Sequence, residues 1–206
     1  MLKNIKLILF DMDGVLFNSK TNMKLSWKEV QKKFKINKSF KQYFKHIGIP
    51  FKQILKKIKI SKNIDTIENC YQKASSKYLN KIRIYPNVIT TINKLKKKNI
   101  KLGILTSKHR GRTIKLINHH ELKFKFISTP AKGLRGKPHP DQINKAIRKF
   151  KFQRKNIVYV GDMGVDYVAA KKSGINYIHA SYGYGQITKK FKYSIKKFSQ
   201  LNKIVI

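Results

Sequence analysis

ILFDMDGVLF, residues 8–17, sets the frame for the rest of the chain. Three apolar residues, Ile8, Leu9 and Phe10, run straight into two carboxylates, Asp11 and Asp13, with Gly14 directly behind. Such a run reads as a buried strand whose carboxyl end opens onto a polar crevice. The acids stand out because the chain has so few: nine Asp and Glu among 206 residues, against 48 Lys and Arg, for a formal charge of +39. Four of the nine, Asp11, Asp13, Asp162 and Asp166, form two tight pairs, each following an apolar run.

Further runs of the same kind lie at Ile100–Leu105, Phe124–Ile127, Ile157–Val160 and Tyr177–His179. Helix-like stretches separate them: one opened by Pro86 and running to about Lys98, then Gly111–His120, Pro140–Phe150, and Val165–Ser173 with Gly174 as its stop. Strands alternating with helices of this length predict an α/β fold, a Rossmann-like parallel sheet covered by helices on both faces. Residues 17–84 break the pattern. They carry amphipathic periodicity (Trp27, Val30, Phe34; Ile54, Leu55, Ile58; Ile64, Ile67, Tyr71, Tyr78) and no convincing strand run. A stretch too long for an ordinary loop, placed between the first and second strands, predicts a helical subdomain inserted into a core made of 1–16 and 85–206. Its Trp, Tyr and Phe residues are expected to form that subdomain's own small core rather than a base-stacking surface.

The charge invites a nucleic-acid or membrane-surface reading, since a strongly basic protein attracts polyanions. Only six of the basic residues are arginine, however, and the 42 lysines are spread over the whole length. Ile and Asn are abundant too, and Lys, Ile and Asn are the residues that AT-rich codons encode. A selected nucleic-acid site gathers arginines and aromatics into one patch. Compositional drift is therefore the favoured reading, and no specific nucleic-acid partner is expected. A mean hydropathy of −0.47 with 41% hydrophobic residues fits a soluble globular protein. No apolar run approaches the ~20 residues needed to span a bilayer, so no membrane association is expected. Asp11 interrupts the first run too early for a signal peptide, and Cys70 has no partner for an intramolecular disulfide. A cytoplasmic location is the expectation.

In a parallel sheet, ligands bind beyond the carboxyl ends of the strands. Those ends here read Asp11-Met12-Asp13-Gly14, then Leu105-Thr106-Ser107-Lys108, then Gly136-Lys137-Pro138-His139-Pro140-Asp141, then Val160-Gly161-Asp162-Met163-Gly164-Val165-Asp166. Collected in one crevice they make a phosphoryl-transfer site. Side chains two apart on an extended segment point the same way, so Asp11 and Asp13 can face one substrate. Together with Asp162 and Asp166 they supply the hard oxygen ligands that Mg²⁺ prefers. The Thr106 hydroxyl, the Ser107 backbone N–H and the Lys137 ammonium can hold phosphate oxygens. Gly14 and Gly161 leave room for close approach of the backbone. None of the six histidines shows metal-ligand spacing; His109 follows the second of these segments and is given no role.

FDMDGVLFNS (10–19), LGILTS (102–107), GKPHPD (136–141) and GDMGVD (161–166), with a trailing AAKKSGI…YGYG (169–185) and Ser199-Gln200-Leu201, resemble the haloacid dehalogenase superfamily, in the subgroup of phosphoglycolate phosphatases and β-phosphoglucomutases. The likeness covers nearly the whole chain, residues 17–84 fall where that subgroup carries its cap, and Ile47-Gly48-Ile49-Pro50-Phe51 is similar to a cap segment in many of these proteins. The resemblance implies that Asp11 is the nucleophile, forming an aspartyl-phosphate, and that Asp13 protonates the leaving-group oxygen and later takes a proton from water. It implies Mg²⁺ held by Asp11, the backbone carbonyl of Asp13 and Asp162, with Asp166 in support, and a phosphoryl group held by Thr106 and Lys137.

The chain departs from the usual pattern at Val15, where Thr is common, at Met163, where Thr or Ser is common, and at Asn18, where Asp is common. Met163 is expected to loosen the orientation of Asp162. An acid at position 13 favours phosphomonoester chemistry over dehalogenation or phosphonate cleavage, which lack that proton shuttle. The resulting expectation is a Mg²⁺-dependent hydrolase of a small phosphorylated metabolite; phosphoglycolate, a sugar phosphate and a nucleotide all remain as substrates. A sugar-phosphate mutase is the weaker alternative, because the expected cap histidine is missing, and a polyanion-binding protein on the same fold is the other.

Overall fold

A computed structural model describes residues 1–185 and 187–205. The chain runs β1 (Leu7–Phe10), β2 (Phe17–Asn18), α1 (Lys20–Phe34), α2 (Phe40–Phe44), α3 (Phe51–Lys57), α4 (Ile64–Lys77), β3 (Arg83–Ile84), α5 (Val88–Lys97), β4 (Lys101–Leu105), α6 (Arg110–His119), β5 (Phe126–Ser128), α7 (Asp141–Phe150), β6 (Ile157–Gly161), α8 (Gly164–Lys172), β7 (Asn176–Ala180), β8 (Ser194–Ile195) and α9 (Leu201–Ile204). Six strands form one parallel sheet in the order β5-β4-β1-β6-β7-β8. Each expected run is a strand, and β8 is an edge strand of two residues, too short to carry an apolar period.

The run that opens β1 explains its central place. Leu7, Ile8, Leu9 and Phe10 are all fully buried. Side chains alternate across a strand, so such a strand must be covered on both faces. Ile8 and Phe10 pack with Leu102, Ile104, Val158 and Val160 against Val88, Ile92 and Leu95 of α5 and Leu116 of α6. Leu7 and Leu9 pack with Ile157 and Tyr159 against Ile143 and Ala146 of α7 and Ala169 and Ala170 of α8. At roughly 1.5–3 kcal/mol for each large apolar side chain, this two-sided burial holds the sheet together. Pro86 precedes α5 rather than opening it: Asn87 caps the helix in the left-handed conformation. Gly174, also at positive φ, ends α8 as expected.

Strand order reverses beside β1. After β4 and β5 extend the sheet on one side, the chain returns to place β6 against the other side of β1, with Phe10 opposite both Ile104 and Val160. A crevice at the carboxyl ends of strands is forced open at such a switch point, because the connections leave in opposite directions.

The four helices of residues 20–77 have a cluster of their own, built on Trp27, Tyr43, Leu55, Ile67 and Tyr71. Trp27 and Tyr43 stack at 4.7 Å between ring centroids, and the Tyr43 hydroxyl donates to that of Tyr71 at 2.9 Å. The amphipathic positions read from sequence pack here, except Tyr78, and the rings of Trp27, Tyr43 and Tyr71 are core. α1 and α4 are pinned together by buried Asn22, whose amide donates to the carbonyls of Ser75 at 2.9 Å and Tyr78 at 2.8 Å. One expectation fails. Residues 17–84 do contain strand, because β2 and β3 pair antiparallel with Phe17 opposite Ile84 and Asn18 opposite Arg83. Two residues are too few to show a period, and only the meeting of the insert's two ends makes them a ladder.

Candidate active site

Backbone geometry brings the four strand ends together. Asp11 follows β1 and Asp162 follows β6, on either side of the switch point; Asp166 sits in the first turn of α8, and Lys137 lies in the segment between β5 and α7. Carboxylate oxygens of Asp11, Asp162 and Asp166 all lie within 4.8 Å of one another, and all three residues are buried. Gly14 and Gly161 are required there for space: a Cβ at Gly14 would overlap the Asp162 carboxylate, and one at Gly161 the Asp166 side chain. Gly14 also has φ +89°, a conformation open to glycine.

Three buried carboxylates side by side are unfavourable as anions. Burial, the Asp11–Asp166 repulsion and nearby Asp13 raise the Asp11 carboxyl to about 7, although Lys137 pulls it down. Burial, Asp166 and Asp11 push Asp162 well above the usual carboxylate range. Lys137 is the counter-charge. Its ammonium, 2% exposed, lies 2.9 Å from Asp11 Oδ1 and 2.7 Å from Asp166 Oδ1. Burial alone would lower its pKa, but Asp11 and Asp166 more than offset that and raise it.

Asp166 is fully engaged. Oδ1 accepts from Lys137 and, at 2.9 Å, from the Tyr159 hydroxyl, while Oδ2 accepts from the backbone N–H of Met163 at 2.9 Å and of Asp162 at 3.2 Å. Such a carboxylate orients its neighbours. Asp162 is different: Oδ2 accepts from the Tyr184 N–H at 2.6 Å, but Oδ1 is buried with no protein partner. The Tyr184 N–H also answers the concern raised by Met163, since Asp162 is anchored from the 182–185 loop instead. An orphaned carboxylate oxygen between two further carboxylates is the donor set of a hard cation site.

Asp13 does not join this trio. Its Oδ2 lies 3.1 Å from the ammonium of Lys108, and its Oδ1 accepts from the Ser19 hydroxyl. Thr106 is buried at the end of β4, with Oγ1 accepting from the Lys108 N–H at 3.1 Å and its carbonyl from Gln142 at 3.3 Å. The Ser107 hydroxyl donates to the Gly48 carbonyl in the insert at 2.7 Å. Thus Asp11, Asp162, Asp166 and Lys137 form one cluster and Asp13 with Lys108 a second. Asp11, Asp13, Thr106, Ser107 and Lys137 line a single cavity of about 520 Å³ that the insert closes from above with Tyr43, Ile47 and Tyr71.

Sequence reading missed Lys108, Tyr159, Tyr184 and Ser19. Lys108 was one lysine among 42, and Tyr159 one large residue in an apolar strand; the tyrosines of YGYG and the serine of FDMDGVLFNS lay inside noted segments without a stated role.

The family model for haloacid dehalogenase-like hydrolases matches residues 8–180. The pyrophosphatase PpaX of Oceanobacillus iheyensis is 28% identical over 177 residues, covering 84% of this chain and 81% of the relative. Among solved structures, a predicted phosphoglycolate phosphatase from Haemophilus somnus superposes with a TM-score of 0.80 at 24% identity, covering 98% of each chain. CbbY from Rhodobacter sphaeroides, in complex with phosphate, superposes with a TM-score of 0.83 at 18% identity, covering 96% of each. At these identities the structural likeness is one of fold, and it spans core and insert together. With its strand-end carboxylates gathered at the switch point of the sheet and a family model matching most of its length, the chain belongs to the haloacid dehalogenase-like hydrolases.

Proposed function

We propose that this chain is a Mg²⁺-dependent phosphatase that hydrolyses a small phosphorylated metabolite through an aspartyl-phosphate on Asp11. The observation that carries the reading is the placement of Asp11: buried, 2.9 Å from the Lys137 ammonium, and beside two further carboxylates that need a cation. The cation would be held by Asp11, Asp162 and the backbone carbonyl of Asp13, with Asp166 orienting the set. When bound, it supplies positive charge that keeps Asp11 ionised and neutralises the transferring phosphoryl group. The orphaned Asp162 Oδ1 fits that role.

Asp11 attacks phosphorus with a carboxylate oxygen, and the bond from phosphorus to the leaving oxygen breaks. Asp13 hands that oxygen a proton. Lys137 and Thr106 hold the equatorial phosphoryl oxygens as charge shifts among them. Water then attacks the aspartyl-phosphate, Asp13 takes its proton, and inorganic phosphate leaves with Asp11 restored. Residues 17–84 act as a cap that covers the cavity and excludes bulk water. The PpaX relative supports extending the substrate class from phosphate esters to a phosphoric anhydride. Among the described residues no helix is long and apolar enough to cross a membrane.

The test is phosphate release by the purified chain from p-nitrophenyl phosphate with Mg²⁺. EDTA and Asp11→Asn should each abolish it. Full activity in Asp11→Asn would refute the aspartyl-phosphate route.

A further inference from the structure

Gln142, the second residue of α7, does not line the cavity and is 1% exposed. Its Nε2 donates to the Thr106 carbonyl at 3.3 Å, and its Oε1 is buried with no protein partner. A carboxamide half-paired in the interior is unfavourable, and a leucine would fill nearly the same space without burying an unmet acceptor. The one bond that Gln142 makes is therefore the feature to explain.

The Thr106 carbonyl shares a planar trans peptide unit with the Ser107 N–H, so the two point in opposite directions. Turning the carbonyl toward α7 turns the N–H away from it. Ser107 lines the cavity, and its N–H has no partner among the described residues. The amides on either side are occupied: the Thr106 N–H donates to the Ser128 carbonyl at 3.0 Å, and the Lys108 N–H to Thr106 Oγ1 at 3.1 Å. One open donor between two occupied ones, just past the carboxyl end of β4, is placed to bind an anion's oxygen.

We infer that Gln142 is a positioning residue: by holding the Thr106 carbonyl, it aims the Ser107 N–H at the phosphoryl group. This rests on the phosphatase reading, in which that N–H meets a phosphoryl oxygen. A peptide unit whose carbonyl accepts on one side is polarised into a stronger donor on the other. The neighbouring residue of α7 does similar work on the opposite side of the group, since Asp141 accepts from the Arg135 N–H at 3.1 Å and so closes the loop that carries Lys137. The first turn of α7 thus orders two phosphoryl-binding donors without touching the phosphoryl group itself.

The experiment is a double-mutant cycle on the full chain with Mg²⁺ and p-nitrophenyl phosphate. Ser107→Ala keeps the backbone donor, and Ser107→Pro removes it; the second should be slower than the first by about 10²–10³-fold. Gln142→Leu should lower kcat/KM by about 3- to 10-fold in the Ser107→Ala background and by less than about twofold in Ser107→Pro, where no N–H is left to aim. Melting curves establish which variants are folded. Equal losses in the two backgrounds, or no loss in folded Gln142→Leu, would overturn the positioning role and leave the phosphatase reading standing. A second measurement decides the matter if Ser107→Pro does not fold. In a ¹⁵N-labelled chain at fixed free Mg²⁺, inorganic phosphate should shift the Ser107 amide proton downfield. Gln142→Leu should reduce that shift and weaken phosphate binding by about 3- to 10-fold. The same shift and affinity in both proteins would refute the inference. A Gln142-dependent shift in a chain that hydrolyses no phosphate ester keeps it and sinks the phosphatase.

Discussion

Two lysines of 42 are buried among the described residues, and both line one cavity. Lys137 touches two carboxylates, Asp11 and Asp166, and its pKa is raised. Lys108 touches one, Asp13, and burial wins: its pKa falls to about 8. The residue type is the same and both side chains are buried, so the charges alongside decide whether the ammonium is stabilised: two acids at Lys137, and one acid opposed by Arg112 at Lys108. On the Lys137 side two acids of the protein face the ammonium, whereas on the Lys108 side a single acid, Asp13, does so.

The contrast is tested most strongly at Lys137. Lys137→Met leaves Asp11 and Asp166 facing each other with no counter-ion, so the metal-free protein should lose about 3–5 kcal/mol of stability in urea unfolding. Activity should fall by more than about 10³-fold, since phosphoryl positioning goes with it. A loss no larger than that of Lys108→Met would erase the distinction.

Asp13→Asn takes away the single carboxylate of Lys108 while sparing the Asp11 cluster. Proton transfer is worth ~10²–10⁴-fold, so turnover of an alkyl phosphate should drop by that factor and that of an aryl phosphate, with its better leaving group, by much less. Equal losses on the two would make Asp13 a structural residue.

A smaller effect reads the charge of the acidic cluster directly. The folded Asp11 carboxyl titrates near 7 against 3.8 for an ordinary aspartate. A raised folded pKa means that its stabilising contribution is present at low pH and lost as pH climbs through 3.8 to about 7. The rise in melting temperature produced by Mg²⁺ over EDTA should therefore grow from pH 5 to pH 7 and level off above it. A constant increment across that range would place the cation away from Asp11.

The smallest effects belong to the exposed lysines. Neutralising Lys97 and Lys98, on and just after the last turn of α5, should change stability by no more than about 0.5 kcal/mol. If the +39 charge is compositional, DNA should bind weakly and dissociate by roughly 0.2 M salt. Tight binding to one nucleic acid at high salt, blocking phosphate release, would show a surface selected for a polyanion.

Much of the core and its strand-end acids could be read directly. Buried parallel strands are short and apolar throughout, and the residues that break them, Asp11, Thr106 and Asp162, fall at their carboxyl ends by connectivity alone. Acid scarcity made the pairs visible, and Lys137 came with its segment. The insert was legible as helix because amphipathic periodicity survives without context. What the sequence could not supply was partnership. A lysine in a Lys-rich chain has no local mark of burial; Lys108 is buried just past the end of β4, where Asp13 pairs with it. Asp11 and Asp13 stand two apart at one strand end, yet they engage different lysines. The Tyr184 N–H on Asp162 and the Tyr71 ring under Arg112 join residues 22 and 41 positions apart. Local pattern determined the longer strands, the helices and the strand-end acids, because those depend on neighbours along the chain. Tertiary structure alone decided which charges are paired and which remain for a ligand, because burial and pairing depend on neighbours in space.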